Sequence, residues 1–266
     1  MIKTVSILGC GWLGLPLATQ LVQLGYQVKG STTTAEKTAL LQAAGIMPFV
    51  FKVGEMIEGA PLDFFQADLL ILNIPPGRRN PQVTTQHPKQ VERIVHHAIQ
   101  GGIQYLIFVS SSSVYGDTQS VVTEIDVPQP NTASGRALLQ AEHFLQNHPS
   151  LQTTVLRMAG LFGPNRHPAR FLAGKTGLKD ADAPVNLVHL DDAMQAIHQV
   201  IRQNRWNTLY NICADEHPTR KAYYTQAALQ IGLPAPQFVA DDQPHYKIVS
   251  NQKAKTELGL DFKPLL

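Results

Sequence analysis

The chain has little cysteine, little charge and no long apolar run, and each shortage argues against a class of protein. Two cysteines, Cys10 and Cys213, are too few for a disulfide framework. Charged residues make up 16% of the 266 residues, below the roughly 25% usual for a soluble domain, while 44% are hydrophobic. This balance excludes a disordered chain and predicts a sizeable buried core. The net charge of +2 predicts neither a nucleic-acid partner nor a membrane-surface partner.

Membrane-spanning and secreted proteins are also not expected. The apolar runs, such as Tyr105 to Val109, are far shorter than the ~20 residues of a spanning helix. Met1 to Lys3 lead directly into a strand-like stretch, without the apolar region and cleavage site of a signal peptide. We therefore expect a cytoplasmic, reduced, globular protein.

Strand-like and helix-like segments alternate along the chain. Short apolar runs predict strands at 4–8, 26–31, 47–51, 67–73, 104–110, 153–157 and 208–211. Apolar residues at helical spacing predict helices at about 13–24, 35–44, 86–100, 133–147, 190–201 and 220–231. After the last helix the sequence predicts proline-broken coil. Strands joined by helices imply right-handed crossovers, so the expected fold class is α/β, with a doubly wound parallel Rossmann sheet.

The periodicity weakens in the second half of the chain. Residues 163–184 are rich in glycine, proline and basic residues, and no linker is long enough to separate two domains. We expect a dinucleotide-binding core over 1–160, with a contribution from 186–212. Residues 161–185 and 213–266 are expected to form a smaller, interwoven C-terminal substrate lobe.

Residues 9–14 read Gly-Cys-Gly-Trp-Leu-Gly, a G-x-G-x-x-G motif between the first predicted strand and the first helix. This is the context that a dinucleotide-binding loop requires, because the phosphates lie at the N-terminus of the helix. Gly9 permits the tight turn, Gly11 lets a pyrophosphate approach the backbone, and Gly14 allows the helix to pack on the sheet. A structural strand–helix turn is the alternative. The loop residues expected to bind the cofactor are Gly9, Gly11, Trp12, Leu13 and Gly14.

The residues after the second strand favour NADP over NAD. An NAD site usually has Asp or Glu there, about 20 residues after the glycine loop. Residues 29–34 instead read Lys-Gly-Ser-Thr-Thr-Thr, and the nearest carboxylate is Glu36. Hydroxyl groups beside Lys29 or Lys37 suit a 2′-phosphate, whereas a solvated turn is the alternative. The expected 2′-phosphate ligands are Ser31, Thr32, Thr33 and Lys37, and NAD remains possible.

The segment after the fourth strand is also expected at the cofactor, because the carboxyl ends of the strands face the ligand in open α/β sheets. It supplies Asn73 and Pro75 as candidate cofactor ligands. The following Arg78 and Arg79 have two interpretations, a clamp for a phosphate or carboxylate and a solvated turn.

Further motifs occur at 110–116 (Ser-Ser-Ser-Ser-Val-Tyr-Gly), 156–164 (Leu-Arg-Met-Ala-Gly-Leu-Phe-Gly-Pro), 188–192 (Val-His-Leu-Asp-Asp) and 210–213 (Tyr-Asn-Ile-Cys). Together with the glycine loop, they resemble the extended short-chain dehydrogenases, the NAD-dependent epimerase/dehydratase family. Longer strings at 9–16, 163–171 and 185–189 are similar to its atypical YeeZ-like branch. The resemblance spans nearly the whole chain and implies a nicotinamide cofactor and oxidoreductase chemistry.

The resemblance also shows a departure from the family. The family uses a serine or threonine three residues before the Val-Tyr-Gly, here Ser111, and a Tyr-x-x-x-Lys at the start of the next helix. Aligning that helix on Glu142 puts Ser134 at the tyrosine position and Leu138 at the lysine position. The sequence has no other Tyr-x-x-x-Lys. The usual proton-transferring pair is therefore not expected.

Three outcomes are open at this point. Another group supplies the proton, with Tyr115, His167, Lys175 and His189 as candidates. Alternatively, the substrate needs only hydride transfer, or the protein binds the cofactor without turnover. The resemblance implies Ser111 and Tyr115 as catalytic residues, Ser110 at the cofactor, and Ser112, Ser113 and Ser134 at the substrate.

Basic residues are densest in the glycine- and proline-rich segment. Arg166, Arg170 and Lys175 are expected to bind a small substrate that is anionic or nucleotide-linked, and an exposed loop is the alternative. Asp191 and Asp192 are interpreted as caps of the helix that they open rather than as an acid–base pair. No metal is expected, because the sequence has no His-x-x-x-His and no Cys/His cluster.

Two functions from different classes follow. The first is an NAD(P)-binding oxidoreductase of the epimerase/dehydratase type that lacks the usual dyad. The second is a non-catalytic NADP(H)-binding sensor. The expected partner is a small-molecule substrate, and the resemblance implies that the helices near Gln86 and Ala133 could form a homodimer.

Overall fold

The computed structural model describes residues 2–54, 57–58, 62–77, 80–240 and 245–266. Its strands are β1 Thr4–Leu8, β2 Gln27–Thr32, β3 Met47–Val50, β4 Lys52–Val53, β5 Ile57–Glu58, β6 Leu69–Leu72, β7 Tyr105–Ser111, β8 Val121–Val122, β9 Gln152–Met158, β10 Gly160–Phe162, β11 Leu187–His189, β12 Thr208–Ile212 and β13 Ile248–Val249.

The helices separate most of these strands. They are α1 Gly14–Gln23, α2 Thr38–Ala43, α3 Leu62–Phe65, α4 Val83–Gln100, α5 Ala133–Gln146, α6 Leu190–Arg202, α7 Arg220–Gln230 and α8 Gln252–Leu258. Short 3₁₀ helices lie at Ala35–Lys37, Ser112–Val114 and Pro168–Phe171. No helix in this part of the chain has both the length and the apolar content needed to cross a membrane.

Seven strands form a parallel central sheet in the order β12-β9-β7-β6-β1-β2-β3, which confirms the predicted fold class. Every residue of β6 is buried, as expected for a central strand with both faces covered. The chain runs outward from β1 to β3 and then returns to the other side of β1 with β6. This reversal is a topological switch point, the place where open α/β sheets bind ligands.

Two smaller parallel pairs, β10 with β11 and β8 with β13, accompany the central sheet, and β4 pairs antiparallel with β5. The contacts of the chain divide it into two compact units. Unit 1 consists of Met1–Ser111, Thr132–Leu156 and Ile197–Leu209, and unit 2 of Ser112–Asn131, Arg157–Ala196 and Tyr210–Leu266.

Unit 1 has a core of aliphatic side chains from its strands and helices. Ile7 of β1, Leu70 of β6 and Ile107 of β7 are fully buried. Leu17 of α1 and Val91 of α4 are buried as well. Helices α4 and α5 pack against each other. The Thr132 hydroxyl begins α5 by accepting a hydrogen bond from the N–H group of Gly135, at 3.0 Å.

In unit 2 the C-terminal residues contribute to the core. Leu265 packs in a cluster with Phe162, Val185, Leu187, Ala214 and Tyr223. The Leu265 N–H group donates to Glu216 at 3.3 Å, and the Lys263 N–H group donates to Asp192 at 3.0 Å. These bonds attach the end of the chain to α6 and to the segment after β12.

Two details of the predicted elements are wrong. Helix α4 begins three residues before the predicted start. Asn80 Oδ1 accepts the Gln82 N–H at 2.9 Å just before the helix. The helix contains Pro88, which costs it one backbone hydrogen bond. The tail after α7 is not only coil. It contains β13 and the short helix α8, which ends at Gly259 with a left-handed φ of 64°.

Candidate functional site

The glycine loop of unit 1 lies at the switch point, where β1 and β6 end side by side. The N–H group of Gly9 donates to Ser31 Oγ at 2.9 Å, and the carbonyl of Gly9 accepts a hydrogen bond from Asn73 Nδ2 at 3.1 Å. Gly9 has a φ of 106°, and a β-carbon there would lie 2.6 Å from Asn73 O. The structure therefore brings together three of the predicted cofactor ligands, with Ser31 and Asn73 holding the backbone of the first glycine.

The other two glycines of the loop have different surroundings. A β-carbon at Gly14, the first residue of α1, would overlap the carbonyl oxygen of Gly9. A β-carbon at Gly11 would meet no atom within 4 Å, and Gly11 is exposed. Trp12 is half-buried, and Leu13, at the N-cap position of α1, is buried and makes no side-chain cap bond. The close helix packing and the open space over Gly11 fit a bound pyrophosphate.

The end of β2 separates the predicted 2′-phosphate ligands into two groups. Ser31 and Thr32 are buried. The Ser31 hydroxyl accepts the Gly9 N–H, and the Thr32 hydroxyl accepts the Thr34 N–H at 3.3 Å. Thr33 and Lys37 are exposed. Lys29, the other lysine considered, points elsewhere, because its Nζ donates to the carbonyls of Asp63 and Gln66. Burial lowers the pKa of Lys29, against the opposing charge of Asp63.

Two predicted cofactor residues lie at the ends of other strands. Pro75 is exposed beyond β6. Ser110 is buried near the end of β7, and its hydroxyl donates to Glu142 Oε1 of α5 at 2.5 Å. Glu142 is fully buried. Ser110 therefore joins the strand to the helix, and Arg78 and Arg79 lie outside the described residues.

Helix α5 carries Ser134 and Leu138, the two residues that the sequence predicts at the positions of the family's tyrosine and lysine. Ser134 is half-buried in the first turn, and its hydroxyl lies 3.3 Å from that of Thr132. The side chain of Leu138 is buried, with a relative exposure of 3%. An apolar side chain in this position supplies no charge that could tune a neighbouring hydroxyl.

In unit 2 the hydroxyl of Tyr115 is the centre of a buried polar cluster. Arg157 Nη1 donates to the hydroxyl oxygen at 2.7 Å, and Thr123 O and Asn211 Oδ1 lie at 2.8 and 3.0 Å as acceptors. The Arg157 guanidinium also lies 4.7 Å from the centre of the Tyr115 ring. Burial raises the pKa of Tyr115, and the positive charge of Arg157 opposes that rise. The hydroxyl accepts one hydrogen bond from Arg157 and has a single proton to donate, for which Thr123 O and Asn211 Oδ1 both lie within reach inside unit 2.

The remaining serines lie where β7 ends. Ser111 is the last residue of the strand and is half-buried. Ser112 is buried and Ser113 half-buried in the 3₁₀ helix that follows. The carbonyl of Ser112 accepts the Tyr115 N–H at 3.2 Å, so the Tyr115 cluster fixes the end of this turn.

The basic segment of unit 2 surrounds a cavity of about 340 Å³ lined by Asn165, His167, Arg170 and Ile231. Of the three predicted basic ligands, only Arg170 is among the described lining residues. Arg166 closes a tight turn with Gly163, at 3.0 Å between Arg166 N and Gly163 O, and Lys175 is exposed on the segment beyond.

Asp191 and Asp192 lie in the first turn of α6, as predicted. The side-chain cap is instead His189, whose Nδ1 accepts the Asp191 N–H at 3.2 Å. Asp191 and Asp192 bind the side chain and the N–H group of Lys263, respectively. His189 is therefore engaged as a cap.

Several residues with a role in these arrangements have no local signal in the sequence. Glu142, Arg157 and Asn165 belong to this group, because no motif in the sequence marks a role for their side chains. Arg157 contacts a tyrosine 42 positions earlier in the chain, so only the folded structure brings the pair together.

Both cysteines are free and buried, and burial raises the pKa of Cys10 and of Cys213 to about 12.

Comparisons with known proteins agree with this geometry. The NAD dependent epimerase/dehydratase family matches residues 79–213. Protein YeeZ of Escherichia coli (strain K12) is 39% identical over 265 residues, which cover 98% of this chain and 96% of that protein. A functionally unknown conserved protein from Silicibacter pomeroyi DSS is 25% identical, with a TM-score of 0.79 over 99% of this chain and 95% of that one.

A more distant structure shows the fold alone. UDP-glucuronic acid 4-epimerase from Bacillus cereus, solved in complex with NAD, has a TM-score of 0.82 at 17% identity, covering 98% of this chain and 92% of that one.

The Tyr115 cluster generates a testable prediction about stability. Tyr115→Phe removes the buried hydroxyl that accepts a hydrogen bond from Arg157 Nη1, so we expect a loss of about 1–3 kcal/mol in the free energy of unfolding at pH 7. Because folding raises the pKa of Tyr115, the unfolded hydroxyl loses its proton first. The wild-type protein therefore loses this stability as the pH rises above about 10. Above that pH the difference in the free energy of unfolding between wild type and Tyr115→Phe should become smaller, as measured by urea unfolding.

Tyr26→Phe, at a half-buried tyrosine outside the cluster, is the matched control and should change the free energy of unfolding by less than about 0.5 kcal/mol. Equal stability of Tyr115→Phe and wild type at pH 7 would contradict the account of the cluster.

Proposed function

This chain belongs to the NAD dependent epimerase/dehydratase family, and we propose that it is an oxidoreductase that binds NADP(H) and acts on a small anionic substrate. The observation that carries the proposal is the glycine loop. Ser31 and Asn73 hold Gly9 from two sides, and the space over Gly11 is open at the start of α1. When bound, the nicotinamide supplies or accepts a hydride.

The choice of NADP rests on the residues after β2. No carboxylate occupies the end of this strand, where NAD-binding proteins usually place one for the ribose hydroxyls. Thr33 and Lys37 are exposed and supply a hydroxyl and a positive charge for a 2′-phosphate. Of the other two residues predicted at the phosphate, Ser31 bonds to Gly9 of the glycine loop and Thr32 bonds to Thr34. NAD is the alternative, since the Bacillus cereus epimerase was solved in complex with it.

We propose that Ser111 holds the reacting oxygen of the substrate. Ser112, Ser113 and Ser134 are proposed to bind the rest of the substrate, together with Arg166, Arg170 and Lys175. Tyr115, expected at the reacting atoms, is better supported as a positioning residue, because its hydroxyl is held by Arg157 within unit 2.

We propose that residues 1–160, with 186–212, form the dinucleotide-binding core, and that 161–185 with 213–266 form the substrate lobe. The free cysteines support a cytoplasmic location. The contact between α4 and α5 is compatible with a homodimer built on these two helices.

A non-catalytic NADP(H) sensor is the second candidate, and one observation favours it. Leu138, which the resemblance implies at the position of the family's lysine, is buried, and the same resemblance implies Ser134 at the position of the tyrosine. A serine hydroxyl is a much weaker acid than a tyrosine hydroxyl assisted by lysine, so a proton must come from elsewhere if turnover occurs.

The cofactor choice is tested by calorimetric titration with NADPH and, separately, NADH. We expect NADPH to bind more tightly. Lys37→Glu should weaken NADPH binding by about 10-fold or more, because a carboxylate repels the 2′-phosphate, and leave NADH within about twofold. Lys89→Glu, a matched exposed lysine on α4, should change neither affinity. Equal affinity for the two dinucleotides would overturn the choice of NADP.

Turnover distinguishes the enzyme from the sensor. We expect NADPH oxidation with at least one member of a panel of small carbonyl compounds, keto acids and nucleotide sugars. Ser111→Ala should lower the rate constant by about 100-fold, while NADPH binding persists. NADPH binding without oxidation by any member of the panel would favour the sensor.

A further inference from the structure

We propose that the cavity lined by Asn165, His167, Arg170 and Ile231 binds a single carboxylate or phosphate group carried by a small molecule with an apolar part. That this molecule is the substrate rests on the proposed function, whereas the binding site itself is argued from unit 2 alone. The four residues come from the basic segment and from the end of α7.

The backbone orients the imidazole ring of His167. This half-buried residue precedes the 3₁₀ helix Pro168–Phe171, and its Nδ1 accepts the N–H group of Ala169 at 3.3 Å. A ring nitrogen that accepts a hydrogen bond carries no proton, so the neutral imidazole has its proton on Nε2. The backbone therefore fixes the tautomer in which His167 is a hydrogen-bond donor to a ligand.

The polar residues that line the cavity favour a negatively charged ligand. Arg170 adds a guanidinium, which presents several donors in one plane to a carboxylate or phosphate. Asn165 adds an amide and has a left-handed φ of 60° in the turn closed by Gly163 and Arg166. None of the described lining residues carries a carboxylate. The polar side of the cavity thus offers donors to an oxyanion.

The volume of the cavity and its apolar side restrict the ligand further. The volume of about 340 Å³ is at the low end of the about 300–1,000 Å³ that is typical of ligand pockets. One guanidinium matches one oxyanion group rather than the two phosphates of a nucleoside diphosphate. None of the described lining residues is aromatic, so this part of the lining offers no surface on which a base would stack. Ile231 provides apolar contact for the remainder of a small molecule.

The cavity therefore fits a small organic carboxylate or phosphate monoester better than it fits a nucleotide sugar. Both classes share the oxyanion that Arg170 and His167 recognise, and the choice of probes distinguishes them.

The experiment is calorimetry on the full chain without cofactor, using 4-methylpentanoate, its neutral amide, inorganic phosphate and UDP-glucose. We expect 4-methylpentanoate or inorganic phosphate to bind, and the amide to bind about 10-fold more weakly than the carboxylate or not at all. The anion that binds more tightly identifies the class. No binding of either anion at about 10 mM overturns the proposal. UDP-glucose binding about 10-fold more tightly than both anions also overturns it.

Two variants test the residues independently. Arg170→Met should weaken anion binding by about 10-fold or more. His167→Asn keeps an acceptor for the Ala169 N–H, since asparagine is a good cap, but is too short to replace the Nε2 donor. It should fold normally and weaken anion binding by about 5-fold. Arg202→Met, at an exposed arginine of α6, is the control and should bind as wild type. Wild-type affinity in both cavity variants overturns the assignment.

A parallel titration of the wild-type protein with NADPH separates this inference from the proposed function. Anion binding without NADPH binding supports the cavity and overturns the oxidoreductase. NADPH binding without anion binding overturns the cavity and leaves the oxidoreductase standing.

Discussion

The backbone of Gly9 is held between two neighbouring strand ends, and the cofactor-binding half of the molecule depends on this contact. Ser31 accepts its N–H group from the side of β2, and Asn73 donates to its carbonyl from the side of β6. The parallel registers, which align Ile7 with both Gly30 and Ile71, bring these residues level. A β-carbon at Gly30 would lie 2.7 Å from the Cys10 sulfur, so the loop can lie this close only over a glycine.

Buried polar groups position the rest of the site residues. Ser110 bonds to Glu142 within unit 1, and Tyr115 bonds to Arg157 within unit 2. A buried polar group without a partner costs about 1–3 kcal/mol, so each pair strongly favours one arrangement of its elements. The sequence predicts Ser134 and Leu138 at the positions of the family's proton-transferring pair, and both lie on α5. The proposals on dinucleotide binding and on substrate chemistry are therefore tested separately.

The sequence predicts the fold well, because the alternation of apolar strands and amphipathic helices is a local pattern. The glycine loop is predictable for the same reason, since its residues are contiguous. Contacts between distant residues are not. Lys29 looks like a phosphate ligand until the fold brings the carbonyls of Asp63 and Gln66 to it. Tyr115 is predictable from its local motif, whereas its contact with Asn211, 96 positions away and 3.0 Å from its hydroxyl, exists only in the folded chain.

In the proposed complex the open space over Gly11 receives the pyrophosphate of the dinucleotide. Calorimetric titration of NADPH into wild type and Gly11→Val tests this directly. No atom lies near the added β-carbon, so the variant should unfold within about 2–4 °C of wild type. It should bind NADPH about 100-fold more weakly, because the side chain fills the phosphate position. A folded Gly11→Val protein with wild-type affinity would contradict the account.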